Sequence, residues 1–147
     1  MKGIVLSLKS NKKKYTAKEP ITLEISLTNN SKEAVSLKDF GAGLLSSYYL
    51  GFKGFKIEGK KKEEAWFMGV HIAVKAAHSY DVVTIAPGKS WSDKVDFRDW
   101  KQLNSQPLES GTYEIAATWR NTAAAVYGAG SNEIQGEFTS NPITISF

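Results

Sequence analysis

Apolar and polar residues alternate with a period of two along much of this chain. The clearest run has Ile21, Leu23, Ile25 and Leu27 in one phase, and Thr22, Glu24, Ser26 and Thr28 in the other. Successive side chains of a β-strand point to opposite faces, so this run predicts a strand with one buried and one solvated face. It ends in Asn29-Asn30-Ser31, residues that tolerate a left-handed backbone and predict a turn.

The same alternation predicts further strands separated by turn residues. The segments are 4–8, 34–40, 48–58, 65–77, 81–86, 91–97, 112–120 and 136–147. Segment 65–77 also suits one or two helical turns near its alanines, and we favour a strand with an irregular tail. Segment 136–147 reads as a strand pair or one bent strand. Proline followed by glycine at Pro87-Gly88 predicts a tight turn.

Seven to nine short antiparallel strands with no long helix predict an all-β fold, a β-sandwich that forms a single domain over 1–147. One local signal supports the sandwich. The stretch Leu108-Glu-Ser-Gly-Thr-Tyr113 opens a strand in the manner of a tyrosine corner, in which the tyrosine hydroxyl bonds to backbone upstream. The inward phase predicted for this strand contains Tyr113, Ile115, Ala117 and Trp119.

Several landmarks together resemble bacterial immunoglobulin-like domains. The segment from Tyr15 through Glu19-Pro20 and the alternating strand to Asn29 looks like their second strand. The turn at Pro87-Gly88, the strand opening Gly111-Thr-Tyr113 and the closing Ser140-Asn-Pro-Ile-Thr-Ile145 are similar to their later landmarks. Such domains occur as accessory or pro-segments of secreted metallopeptidases, and the intracellular proteinase inhibitor family has a similar layout. The resemblance implies an immunoglobulin-like β-sandwich.

Composition narrows the class of partner. The chain has 147 residues and a net charge of +4, and 17 of its 19 basic residues are lysines. Lysine lacks the bidentate fork that reads phosphate and guanine, so nucleic acid is not the favoured partner. The runs Lys12–Lys14 and Lys60–Lys62 fall in predicted turns, where we expect them to be solvated. No apolar stretch is long enough for a transmembrane segment.

The residues needed for catalysis, cofactors or metals are sparse. There is no cysteine, and the two histidines, His71 and His78, form no recognised ligand motif. Asp93, Asp96 and Asp99 lie close in sequence, but no calcium-loop glycine or terminal glutamate accompanies them. No nucleophile elbow or phosphate-loop lysine is present. We therefore expect no metal, no cofactor and no enzymatic activity.

The aromatic residues give the candidate site. Tyr48, Tyr49, Phe52, Trp66, Phe67 and Trp100 are interpreted as lying in or beside loops. Neighbours such as Tyr48 and Tyr49, or Trp66 and Phe67, cannot both face one core from a strand, so one of each pair is left for solvent, a covering loop or a partner. Exposed aromatics are enriched at interfaces. Tyr48, Tyr49, Trp66 and Phe67 are the candidate partner-binding residues.

Three functions follow from that site. The first is a non-catalytic binding or accessory module of a bacterial envelope or secreted protein, with another protein as its partner. The second is a proteinase inhibitor that acts through the 40–79 loop region. The third is a carbohydrate-binding module that stacks a polysaccharide on the same aromatics. We favour a secreted or periplasmic location, with a leader absent from this chain, over a cytoplasmic one.

Overall fold

A computed structural model describes residues 3–16, 18–39, 48–71, 81–98, 109–121 and 132–147, with the backbone alone at 39, 48–50, 66–71 and 121. These residues form ten strands, one more than the highest number expected from the sequence. The strands are β1 Ile4–Ser10, β2 Thr22–Asn29, β3 Val35–Asp39, β4 Tyr48–Glu58, β5 Lys61–His71, β6 Asp81–Ile85, β7 Ser90–Asp96, β8 Thr112–Asn121, β9 Glu137–Thr139 and β10 Ile143–Ser146.

The strands form three antiparallel sheets arranged as a β-sandwich. Sheet A has the order β1-β2-β7, sheet B the order β10-β8-β4-β5 with β9 also paired to β8, and sheet C the pair β3-β6. In sheet A, Ile25 of β2 pairs with Leu8 of β1 and Asp93 of β7. The predicted all-β class is confirmed.

The core lies between sheets A and B and contains the predicted inward phases. Leu23, Ile25 and Leu27 are fully buried, as are Ile115, Ala117 and Trp119 of β8. On the solvated face of sheet A, hydroxyls join β2 to β7: Ser26 bonds Ser92 at 2.6 Å, and Thr28 bonds Ser90 at 2.7 Å. Strict alternation along β2 therefore separates a dry face from a hydroxyl-rich face.

The turn after β2 is held by the side chain of Asn29, which is completely buried. Its amide nitrogen donates to the carbonyls of Glu33 at 2.8 Å and Ile85 at 2.9 Å. Its amide oxygen accepts from the backbone N–H and the hydroxyl of Ser31. The predicted turn is present, but hydrogen bonding fixes it, since no residue of the Asn29–Ser31 trio has a positive φ.

The predicted turn at Pro87-Gly88 is also present. Gly88 has a φ of 79°, and the Lys89 amide donates to the Ala86 carbonyl at 3.0 Å. A positive φ at the third turn position is the mark of a type II turn, which favours glycine there.

The last two strands form one bent strand along β8. β9 and β10 both pair with β8, and Ser140, Asn141 and Pro142 interrupt them. The Asn141 side-chain amide both accepts from the Leu8 N–H and donates to the Leu8 carbonyl, each at 3.0 Å. Asn141 thus occupies the outward hydrogen-bonding groups of edge strand β1 and links sheet B to sheet A.

The tyrosine corner is present at the start of β8. The Tyr113 hydroxyl donates to the Glu109 carbonyl at 3.0 Å, and the ring stacks on Phe147 with centroids 5.1 Å apart. Burial disfavours the phenolate and raises the pKa of Tyr113 above its ordinary value of 10.0.

The connection between β1 and β2, here called the strap, crosses the end of the sandwich. The Tyr15 amide donates to Ser146 of β10 at 2.9 Å, and the Arg98 guanidinium donates to the carbonyls of Glu19 and Thr16. The Glu19 carboxylate accepts from the Lys12 ammonium at 2.8 Å and from the Thr16 amide at 2.9 Å. These bonds favour the charged carboxylate and lower the pKa of Glu19.

A buried ion pair joins sheet C to the segment before β9. The Lys38 ammonium and the Glu133 carboxylate are 2.5 Å apart, with side chains only 6% and 2% exposed. Backbone bonds run beside them, from the Ser36 amide to the Asn132 carbonyl and from the Ile134 amide to the Ser36 carbonyl. Residues 132–134 therefore extend sheet C next to β3.

Candidate functional site

The candidate residues lie on a long hairpin at the end of sheet B. Strands β4 and β5 have 11 residues each, and β5 is the terminal strand of the sheet. The description of 40–79 as a loop region is therefore wrong for residues 48–71. The backbone confirms the favoured strand for 65–77 as far as His71, and the rest of that segment lies outside the described residues.

The backbones of the four candidate aromatics lie within these strands, as the predicted segments 48–58 and 65–77 imply. Tyr48 and Tyr49 begin β4, whereas Trp66 and Phe67 lie inside β5 and not in or beside a loop. Tyr48 pairs with Asn121, and Tyr49 pairs with Arg120 on one side and His71 on the other. Trp66 pairs with Gly54, and Phe67 with Lys53. The side chains of the four lie outside the described part of the chain, and so does all of Trp100.

Phe52 does not belong to the candidate site. It is completely buried, and its ring meets the Phe97 ring edge-on at 5.3 Å. The interpretation of Phe52 as lying in or beside a loop is wrong. In the structure it lies on β4 opposite Ala117 of β8, and it faces the core. The small alanine at that cross-strand position leaves room for the phenylalanine ring.

A register shift separates the two halves of the hairpin. Gly54 pairs with Trp66 and Phe55 with Glu64, so Ala65 is an extra residue on β5. One extra residue on a strand bends it, increases its twist and redirects the side chains that follow. The shift comes immediately before Trp66 and Phe67, so it sets the position of that aromatic pair.

Two lysines and Phe55 form a cation–aromatic cluster on one face of the hairpin. The Lys62 ammonium lies 4.7 Å from the centroid of the Phe55 ring and bonds the Glu114 carboxylate of β8 at 2.6 Å. The Lys53 ammonium lies 5.2 Å from the same centroid. Lys62 thus crosses β4 over an aromatic ring to reach β8. Contacts of this kind each contribute about 0.5–1 kcal/mol at exposed sites.

The tip and the first half of β5 are solvent-exposed and charged. Gly59 has a φ of 62° and opens a two-residue turn, a position that favours glycine in hairpins. Only Lys60 of the basic run lies in that turn, because Lys61 and Lys62 already belong to β5. All five side chains from 61 to 65 are exposed. This half of the edge strand faces solvent.

The described residues hold no group of three or more histidines, cysteines or carboxylates placed to bind a metal ion. Within the aspartate series, Asp96 accepts from the backbone amides of Ile21 at 3.3 Å and Arg98 at 3.0 Å. It therefore anchors the entry to β2. Asp99 and His78 lie outside the described residues, as does the side chain of His71.

A shallow open depression lies on sheet A, away from the hairpin. Its volume is about 450 Å³, and its lining residues are Glu24, Ser92, Asp93 and Lys94. Carboxylates and an ammonium line it together, so the depression has no single preferred sign of charge. Within the described ranges, no helix has the length and apolar character needed to cross a membrane.

No protein-family model and no curated protein matches the chain. A β-glucosidase from Erythrobacter marinus resembles it at 9% identity and a TM-score of 0.41, over 97% of this chain and 15% of that one. The sporulation control protein Spo0M from Bacillus subtilis resembles it at 10% identity and a TM-score of 0.40, over 100% of this chain and 51% of that one. β-Glucosidase 3B from Thermotoga neapolitana, in complex with glucose, resembles it at 14% identity and a TM-score of 0.35, over 97% and 16%. The chain spans about half or less of each of these structures, and likenesses this low carry no inference about function.

Proposed function

We propose that this chain is a non-catalytic, immunoglobulin-like binding or accessory module of a bacterial envelope or secreted protein. Its binding surface is the β4–β5 hairpin, and its partner is another protein. The observation that carries the proposal is the position of β5, a terminal strand whose side chains from 61 to 65 are all exposed.

The composition of the hairpin supports a protein partner. Tyr48, Tyr49, Trp66 and Phe67 are contributed by two adjacent strands of one sheet. Aromatic side chains supply large contact areas at low cost in rotamer entropy, and tyrosine and tryptophan are frequent hot spots of interfaces. The charged residues Lys61, Lys62, Glu63 and Glu64 precede Trp66 and Phe67 on β5, and Tyr49 pairs with His71 nearer the other end of the hairpin. An apolar centre with a charged rim is the usual anatomy of a protein interface.

The test begins with affinity capture from the envelope and secreted fractions of the producing cell. The recovered protein is then purified and titrated against the chain by calorimetry. We expect Tyr49→Ala and Phe67→Ala to weaken binding by at least about tenfold, since hot-spot truncations cost about 2 kcal/mol or more. The control is Ser92→Ala on the outer face of sheet A, which should bind like the original chain. Equal affinities for all three variants would show that the hairpin is not the binding surface.

Two other outcomes would redirect the proposal. Stoichiometric inhibition of a protease, lost when residues 41–49 are replaced, would identify a proteinase inhibitor. Retardation in a polysaccharide gel, lost in Trp66→Ala, would identify a carbohydrate-binding module. Each function is thus tested by its own variant, and the original chain is the common reference.

A further inference from the structure

Among the described residues, specific contacts cover parts of three sheet edges. Asn141 occupies the outward N–H and C=O of Leu8 on β1. The strap closes β10, through bonds from the Tyr15 amide to Ser146 and from the Ser146 amide to Lys13. Residues 132–134 pair with β3. Open strand edges template pairing with other chains, and proteins commonly cover them in this way.

In the part of the chain that the structure describes, no such contact covers the far edge of strand β6. It is the outer strand of sheet C, and no strand among the described residues pairs with its far edge. Alternate residues of an antiparallel strand direct their N–H and C=O groups away from the existing partner. The Ser36 backbone bonds residues 132–134, so its partner Thr84, and with it Val82, direct their backbone groups away from β3. Among the described residues nothing bonds these groups, and they are the donors and acceptors for an incoming strand.

The side chains of β6 favour an added strand. Four of its five residues are β-branched: Val82, Val83, Thr84 and Ile85. Val82 is 63% exposed, more than the other exposed large hydrophobic residue of the described part, Val5 at 46%. Charged edge residues discourage pairing. The exposed half of β5 carries four consecutive charges, whereas β6 carries only Asp81.

Asp81 indicates the charge of the incoming strand. It pairs in register with Asp39 of β3, so two acidic residues occupy directly opposed positions. Like charges at such positions destabilise a sheet, and an opposite charge on the next strand stabilises it. A second copy of β6 has no cation to place beside Asp81. The complementary strand is a segment with a basic residue at that position and a β-branched residue opposite Val82.

We propose that β6 binds an extended segment of a partner protein as an added antiparallel strand, with a basic side chain opposite Asp81. This edge belongs to sheet C, and the hairpin belongs to sheet B. The two surfaces are independent, so a negative result at one does not decide the other.

The probe is an acetylated and amidated peptide of sequence Ile-Thr-Val-Val-Lys, which in antiparallel register puts its lysine opposite Asp81. Amide resonances and hydrogen exchange of the whole chain are followed by NMR during titration. We expect shifts throughout Asp81–Ile85 and slowed exchange at the outward amides of Val82 and Thr84. A peptide N-methylated along its bonding edge should produce neither effect, because it lacks the required donors.

A charge exchange tests the assigned register. Replacing the lysine of the peptide with glutamate should weaken binding by about twofold to fivefold, as expected for one cross-strand charge pair. The variant Asp81→Lys should reverse that preference. Equal binding of the N-methylated peptide, or no shifts in β6, would overturn the proposal. A dimer seen in sedimentation without peptide, and lost in Val82→Lys, would instead identify a second copy as the occupant.

Discussion

The Tyr113 hydroxyl donates to the carbonyl of Glu109, four residues earlier in the chain, at 3.0 Å. The bond ties the backbone just before β8 to the second residue of that strand, and the Tyr113 ring stacks on Phe147. β8 pairs with β4, β9 and β10 in sheet B. This bond therefore fixes the start of the strand around which sheet B is organised.

Removing that hydroxyl should weaken the fold. We expect Tyr113→Phe to lower the free energy of unfolding by about 0.5–1.5 kcal/mol, the usual net value of one hydrogen bond. Urea denaturation followed by tryptophan fluorescence measures the change. Ring stacking on Phe147 is retained in this variant, so any loss belongs to the hydroxyl. An unchanged midpoint would show that the bond adds nothing to stability.

The same tyrosine should make the fold sensitive to alkali. The pKa of Tyr113 is raised in the folded chain, so its contribution to stability is complete below the ordinary value of 10.0 and is lost as the pH rises through the higher folded value. Stability of the original chain should fall between pH 10 and 12 more steeply than that of Tyr113→Phe. Parallel pH profiles for the two proteins would contradict this.

Removing one member of the buried Lys38–Glu133 pair should destabilise the fold strongly, whereas replacing both members with apolar residues should change its stability little. Lys38→Met leaves the Glu133 carboxylate buried without its 2.5 Å partner, and we expect a loss of about 3–5 kcal/mol. Lys38→Met combined with Glu133→Leu should recover most of that loss, because apolar side chains then replace both members of the buried pair. Chemical denaturation of both single variants and the double variant gives the coupling energy. Simple additivity would show that the two side chains do not stabilise each other.

Asn29→Ala should destabilise the fold more than Asn30→Ala, the same substitution at the next residue. The substitution removes every side-chain bond of Asn29, including the one to the Ile85 carbonyl, and each buried group left unsatisfied costs about 1–3 kcal/mol. Asn30→Ala is the matched control, since Asn30 is exposed and only its backbone is bonded. Thermal unfolding of the two variants compares them directly. Equal midpoints would exclude a stabilising role for the buried amide.

The strap should loosen in acid. Lys12 and Thr16 lower the pKa of Glu19 below 4.5, so its contribution is complete above that pH and is lost as the pH falls through the folded value. Hydrogen exchange at Thr16 should therefore accelerate on acidification beyond the intrinsic trend, and Glu19→Gln should abolish the dependence. Glu24→Gln removes the same charge from sheet A and should leave it intact. If Glu19→Gln leaves the pH dependence of exchange at Thr16 unchanged, Glu19 is not the group whose protonation loosens the strap.

The strands follow from local patterning, but the contacts between them do not. Alternation alone located β2 and β8 to within two residues at each end, since a half-buried strand needs a period of two. It misplaced Phe52, whose burial depends on its pairing with Ala117 of β8, and β5, β6 and β7 lie between the two strands in the sequence. The contacts of Lys62 with Phe55 and Glu114 likewise depend on the order β5-β4-β8, which no local signal contains.

Alternation predicted strands over 48–58 and 65–77, the segments that contain the four candidate aromatics, and the backbone confirms the first of them and the second as far as His71. The role of these aromatics in binding stays a prediction. Glycine disfavours a strand locally, and pairing on both sides of β4 overrides that preference. The sequence of β6 gives only a weak indication of an open edge, namely four β-branched residues with a single charge. Recognising it as an edge requires the sheet order.

The bond between Leu8 and Asn141 joins residues 133 positions apart. During synthesis, β1 is made before β2 to β9, so the outward N–H and C=O of Leu8 have no bond to Asn141 until that residue has been made. Proteins dominated by such non-local contacts fold slowly, in milliseconds to seconds. We therefore expect the nascent domain to be most prone to aggregation through the edge of β1 until Asn141 has emerged.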